Sequence, residues 1–163
     1  MYFFYRIITN FAIIISPIII FFRILKGKED AKRVGEKFCI YSQKKTNKKI
    51  WIHSASVGEL MSIVPLIKKL EKNKKIKNIL VSTSTTSSAK IFKKLRLKKT
   101  THIYFPLDNN YIVKRFIKYW QPKIAIFIDS EIWPNMIRNL YLTNIPIIIM
   151  NARITKRSFN KWQ

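Results

Sequence analysis

Glycine is almost absent from this chain: only Gly27, Gly35 and Gly58 occur in 163 residues. A G-x-G-x-x-G fingerprint and a phosphate-cradling P-loop both need several glycines within one turn, which sets aside a dinucleotide dehydrogenase and a P-loop NTPase. Cysteine is scarcer still. Cys39 stands alone, so there is no internal disulfide and no second thiol for a zinc site, and a reducing compartment fits best. Zinc-finger spacing and RNA-recognition aromatic motifs are missing, so no specific nucleic-acid partner is expected. Acids number 8 against 32 lysines and arginines, a formal net charge of +24. Such a charge draws a protein to anionic lipid, phosphorylated substrates or nucleic acid. Most of the basic residues are lysine, in a chain also rich in isoleucine and asparagine, and a bias towards these residues explains the charge equally well.

What is present begins with an apolar N-terminus, and residues 1–25 read as a membrane anchor. Between Arg6 and Arg23 runs IITNFAIIISPIIIFF, apolar except for Thr9, Asn10 and Ser16, and somewhat short of the ~20 residues a spanning helix needs unless extended through Tyr2–Tyr5. It either spans with little tilt or lies partly in one leaflet with Pro17 as a kink; a cleaved signal and a buried core helix are the rival readings. No small-x-small cleavage site follows, only Lys26, Lys28, Lys32, Arg33 and Lys37, which should hold the rest of the chain on the cytoplasmic side. Residues 26–48 read as a basic connector and 49–163 as one folded domain.

From residue 49 the pattern changes. The runs KIWIHS, NILVSTS, THIYF, KIAIFI and IPIIIM alternate with stretches of helical period, such as Leu60, Ile63, Val64, Ile67 and Leu70, or Ile112, Val113, Phe116, Ile117 and Trp120. Continuous apolar strands between amphipathic helices predict a Rossmann-like α/β domain: a parallel sheet of about five strands, covered on both faces and joined by right-handed crossovers. Ligands of such sheets sit beyond the carboxyl ends of the strands. Polar residues converge there: His53 to Glu59, Thr83 to Ser88, Pro106 to Asn109, Asp129 to Glu131, and Asn151 to Arg153.

Four of these segments carry a resemblance. WIHSASVGEL (51–60), YFPLD (104–108), DSEIWPN (129–135) and NARITKRS (151–158) come in the order and approximate spacing of the N-terminal half of Kdo transferases, which put 3-deoxy-D-manno-octulosonic acid (Kdo) on lipid A precursors. The stretch GKEDAKRVGEKF (27–38) is similar too, so the chain resembles that family over nearly its whole length. The resemblance implies the N-terminal half of a GT-B glycosyltransferase of the bacterial inner membrane. Its N-terminal domain would hold the lipid A precursor (lipid IVA), its C-terminal domain CMP-Kdo, and its charge would meet anionic membrane lipids. Transfer would invert the anomeric centre by direct displacement, with no cofactor and no metal needed for the chemistry.

A sugar hydroxyl is a weak nucleophile, and a carboxylate placed against it can take its proton as the new bond forms. The matching S-V-G-E motif gives that role to Glu59. Ser56 and Gly58 flank it as substrate-binding candidates, Gly58 because a bare backbone lets a bulky acceptor approach. Glu59 also reads as a first-turn acid that complements the helix dipole. The family's E-x-E-x-W-P motif appears here as Asp129, Ser130, Glu131, Ile132, Trp133, Pro134. Asp129 keeps the charge implied to support the transition state but is about one methylene shorter, which matters if placement must hold within ~0.5 Å. Glu131 is a binding candidate that reads equally as an early helical acid.

The remaining candidates are hydroxyls and an arginine. Thr85 and Thr86 offer hydroxyls and helix N-terminal amides to a phosphate, or simply cap a helix. Asn151 and Arg153 close the fifth strand, Arg153 as a bidentate anion ligand or an ordering ion pair. His53 reads as a core histidine that the resemblance raises to an acceptor contact, and Asp108 as the cap of the helix that follows it. In the family a last piece of this domain and the whole donor domain follow the NARITKRS motif, whereas five residues follow it here, so residues 1–163 alone are expected not to catalyse transfer. The competing expectation is a non-catalytic, basic, membrane-associated module that binds anionic lipid or other polyanions, its rim acids structural.

Overall fold

A computed structural model of the chain describes residues 2–42, 50–129 and 131–152. Five parallel strands form one sheet: β1 (Ile50–Ser54), β2 (Ile79–Thr83), β3 (Thr100–Tyr104), β4 (Ile124–Ile128) and β5 (Ile147–Met150), in the order β3-β2-β1-β4-β5. The helices α2 (Val57–Lys72), α3 (Thr86–Lys94), α4 (Asn110–Trp120) and α5 (Pro134–Leu142) follow β1 to β4 in turn. This is the α/β architecture that the apolar runs predict.

Alternation along the strands sorts their side chains into two cores. Ile52, Val81, Ile126 and Ile128 pack with Leu60, Ile63, Ile67 and Phe92 of α2 and α3. Trp51, Leu80, Ala125 and Phe127 pack with Phe116, Trp120, Met136 and Leu140 of α4 and α5. Each large side chain sealed this way contributes roughly 1.5–3 kcal/mol, which makes the rim above the sheet a rigid platform.

Residues 26–42 are not a bare connector. A short 3-10 helix, Val34–Phe38, brings Phe38, Cys39 and Tyr41 against the α4/α5 core. Glu36 is buried, pairs through both oxygens with Arg33, and accepts the Tyr104 N–H at 2.8 Å. Glu29, equally buried, joins Arg23 to Lys37. Burying two acids among cations fixes this stretch to the edge of β3, so its described part belongs to the folded body.

Helix α1 (Tyr2–Leu25) is long and apolar enough to cross a membrane, by length and composition. It lies against the body along one stripe. Tyr2, Tyr5, Thr9, Ile13, Ser16, Ile20 and Ile24 recur every three or four residues and are the partly or wholly covered positions, whereas Phe3, Phe4, Ile8, Phe11, Ile14, Ile18 and Phe22 are exposed. The stripe is held by polar groups. Tyr2 Oη donates to Asn135, Tyr5 Oη to Asp108, and Asn109 Nδ2 to Asn10. Pro17 lacks the N–H that would bond the Ile13 carbonyl, and the Ser16 hydroxyl donates to that oxygen at 2.8 Å instead.

Candidate active site

The chain runs from β1 to β2 on one side of the sheet and from β4 to β5 on the other, so strand order reverses between β1 and β4. Open α/β sheets bind ligands in the crevice at such a switch point. The β1–β4 ladder runs up to the His53–Phe127 pair, so the chain leaves both strands side by side at this end of the sheet. The acids that follow these two strands therefore share one crevice.

Glu59 stands in the first turn of α2. Ser56 caps the helix by accepting the Glu59 N–H at 3.2 Å, its hydroxyl donates to Glu59 Oε1 at 2.7 Å, and the Ala55 N–H donates to Oε2 at 2.7 Å. This reciprocal arrangement is a form of the capping box, whose S-x-x-E spacing is visible in the sequence. It locks the carboxylate rotamer, and a carboxylate offers about four acceptor sites, so lone pairs remain free on the half-buried group. Gly58 is exposed. A Cβ built on it meets nothing nearer than Ser56 Oγ at 4.0 Å, and its φ is not positive. The fold therefore does not require glycine there, and the room beside Glu59 opens outward.

Asp129 and Asn151 end β4 and β5 in the left-handed region, each with φ of 58°. Outside glycine, Asp and Asn tolerate this conformation best, because their short side chains bond locally. Asn151 Nδ2 donates to Asp129 Oδ1, while the Asp129 N–H donates to the Met150 carbonyl at 2.9 Å. The shorter acid at position 129 suits this backbone.

Glu131 accepts the Trp133 indole N–H at 2.9 Å, and Trp133 leans on Phe105 with ring centroids 5.2 Å apart. Burial raises the Glu131 pKa above the ordinary carboxylate range, and the charges of Glu59 and Asp129 raise it further, against the Trp133 bond that lowers it. The Glu131 carboxylate thus lies within electrostatic reach of both Glu59 and Asp129. Among the described residues, no group of three or more His, Cys, Asp or Glu side chains is arranged to hold a metal ion.

The other candidates fall elsewhere. His53 is fully buried, with Nδ1 near the Ser82 hydroxyl at 3.0 Å and its ring stacked on Phe105 at 3.9 Å. Burial drives its pKa down to about 3, so it is a neutral imidazole beneath the rim. Thr85 caps α3, accepting the Ser88 N–H at 3.1 Å. Thr86 faces a separate groove with Arg33, Lys90, Lys93 and Arg96. Arg153 lies outside the described residues.

Asp108 is a cap, but not of its own helix. Asn109 caps α4, while the buried Asp108 carboxylate reaches across to the start of α5, accepting the N–H groups of Asn135 at 3.0 Å and Met136 at 2.8 Å. Trp133, which precedes α5, has no capping oxygen of its own. Asp108 thereby orients the segment that carries Glu131 and Trp133.

Comparison with known proteins agrees with this geometry. The family model described as 3-deoxy-D-manno-octulosonic-acid transferase (kdotransferase) matches residues 32–163. A 3-deoxy-D-manno-octulosonic acid transferase of Rickettsia bellii (strain RML369-C) is 41% identical over 147 residues, covering 90% of this chain and 35% of the relative. The Haemophilus influenzae protein of the same name is 34% identical over 159 residues, covering 94% and 37%. A protein named as a probable mitochondrial form in Arabidopsis thaliana is 32% identical over 164 residues, covering 98% and 37%. The chain spans a little over a third of the length of these relatives. With the sheet, the S-V-G-E turn and the family match in agreement over the same residues, the chain belongs to the Kdo transferase family and carries the α/β fold of its N-terminal domain.

Proposed function

We propose that this chain is the acceptor-binding part of a membrane-bound, inverting GT-B Kdo transferase, which moves Kdo from CMP-Kdo to a lipid A precursor such as lipid IVA. The observation that carries this reading is the Glu59 carboxylate, held rigid at the switch point beside the open face of Gly58. An acceptor hydroxyl placed against Glu59 gives up its proton as its oxygen bonds to the anomeric carbon, and the bond from that carbon to the CMP phosphate breaks on the opposite side. Positive charge builds on the sugar at that moment, and the carboxylates of Asp129 and Glu131 oppose it across the crevice. CMP-Kdo would be held by a further domain, and the 163 residues by themselves are not expected to turn over.

The exposed apolar face of α1 would sit in the cytoplasmic leaflet of the inner membrane. Hydrogen bonds from Tyr2 and Tyr5 and the burial of Ser16 and Ile20 tie its other face to the body, which supports a helix lying along the bilayer surface rather than across it. The surplus of lysine and arginine attracts anionic headgroups.

The test is Kdo transfer by the full-length protein, purified with its membrane, with labelled CMP-Kdo and lipid IVA. Formation of Kdo-lipid in the natural protein and its loss in Glu59→Gln, with lipid IVA binding kept, supports the reading. Binding of lipid IVA and unrelated polyanions alike, steeply salt-dependent and with no transfer, replaces it by a non-catalytic basic module.

A further inference from the structure

Between α1 and the strand-end rim runs a cleft of about 480 Å³. One wall is the inner stripe of α1, with Ala12, Ile13 and Ile20; the other is Phe105, Leu107 and Trp133. The α1 residues that line it extend from Tyr5 to Arg23, a length of ~27 Å at the helical rise. A cleft of that length, lined mainly by carbon, suits an extended alkyl chain.

The chemistry of the lining is equally selective. Most of its polar groups are already engaged: Tyr5 with Asp108 and Asn109 with Asn10 towards one end, Glu29 with both Arg23 and Lys37 at the other, and the Thr9 and Ser16 hydroxyls with carbonyls of α1 itself. The middle therefore presents carbon, where a polar ligand would lose its hydration without finding partners. The slot also has a direction. Trp133 lines it and donates its indole N–H to Glu131, so the apolar channel abuts the carboxylate crevice. Its outer wall is the helix whose opposite face is exposed and apolar, so a chain in a bilayer meets the slot sideways.

We propose that this cleft holds one acyl chain of the lipid acceptor, drawn laterally from the bilayer and aligned so that the sugar to which it is attached emerges at Trp133 and Glu131. The proposal rests on the reading of the chain as an acceptor half and adds where the lipid is gripped. It gives α1 a second task besides attachment: one side of the helix touches bulk lipid, the other touches substrate.

The experiment uses the full-length protein in vesicles of phosphatidylethanolamine and phosphatidylglycerol. One probe is lipid IVA with a diazirine in an acyl chain, the other is phosphatidylglycerol with the same group, and labelled residues are mapped by mass spectrometry after illumination. The lipid IVA probe is expected to label Ala12, Ile13, Leu107 or Trp133, and the phosphatidylglycerol probe the outer positions Phe11, Ile14 and Ile18. Ala12→Trp, which fills the slot, should cut slot labelling about tenfold while outer-face labelling persists, showing that the helix is still in place. Equal labelling of the slot by both probes, or none by lipid IVA, overturns the proposal. Slot labelling by lipid IVA in a protein that transfers no Kdo would keep the slot and sink only the functional reading.

Discussion

After β1, Ser56 caps α2 by accepting the N–H three residues on at 3.2 Å, and after β2, Thr85 caps α3 in the same way at 3.1 Å. In both turns the side chain at the third position bonds back to the cap hydroxyl at 2.7 Å. After β2 that side chain is Ser88, neutral and buried; after β1 it is Glu59, charged, half-buried and next to a glycine that the backbone does not need. A neutral side chain therefore meets the same cap geometry at α3. The charge at position 59 exceeds what capping requires, and the crevice it faces is where open α/β sheets keep their ligands.

The sharpest way to break this contrast is Glu59→Gln. Glutamine serves a capping box as well as glutamate, so thermal unfolding should move little, within about 0.5 kcal/mol. Kdo transfer by the full-length protein should fall by roughly 100- to 10,000-fold in a steady-state assay. Glu59→Ser, which copies the α3 turn, should behave alike, and natural turnover in either variant rejects Glu59 as the base.

Next in size is a pH effect from the histidines beneath the two turns. His53 ends β1, and His102 bonds Thr83 at the end of β2 at 2.9 Å. Burial lowers both to about 3, with the nearby Arg33 charge adding to the effect on His102. In the unfolded chain each titrates near 6.5. Between those values the unfolded state binds the extra proton, so the contribution is complete above about pH 6.5 and is lost as pH falls, by about 1.4 kcal/mol per histidine per pH unit. Urea unfolding at pH 7 and pH 5 measures it. His102→Gln should flatten the slope, and an unchanged slope would contradict a neutral buried imidazole.

Gly58→Ala separates fold from function in the opposite direction. Alanine in an early helical position should stabilise α2 by about 0.5–1 kcal/mol, while crowding of the acceptor raises its KM about tenfold. Equal affinity in both proteins would show that nothing approaches that face. Smaller still, Ser56→Ala and Thr85→Ala should each cost about 1 kcal/mol in unfolding free energy, because the two caps do the same structural work. A marked inequality would mean that the Glu59 bonds also carry stability. Last, Glu59→Gln should lower the Glu131 pKa in a carboxyl-carbon NMR titration, since one of the charges that raises it is gone.

Much of this was legible in the sequence. Strands buried on both faces read as unbroken apolar runs, so β1 to β4 and the helices after them could be placed from periodicity alone. The rim candidates came from the rule about strand ends, and Glu59 was legible as a first-turn acid, whereas the S-x-x-E spacing that marks Ser56 as its cap was passed over. The connector was misleading because its few core residues, Phe38, Cys39 and Tyr41, have no period, and the groups that bury Glu36 lie far along the chain. Asp108 showed its role but not its target, since its cap bonds reach 27 and 28 residues ahead. His53 carried no mark of its depth, because a strand-end histidine looks the same whether it faces the rim or the core. Thr9 and Ser16 stood out in the sequence as polar exceptions, but the face they share with Tyr2 and Tyr5 was not read from them.

Asp108 Oδ2 accepts from Tyr5 on α1 and from the Asn135 N–H, while Oδ1 accepts from the Met136 N–H. In mechanical terms this carboxylate is a rivet through two parts: the long apolar helix α1 and the helix that follows Glu131. Neither can shift without loading the other. A tilt of α1 is transmitted as a pull on the first turn of α5, so the spacing between acids at the crevice is tied to where α1 lies against the body.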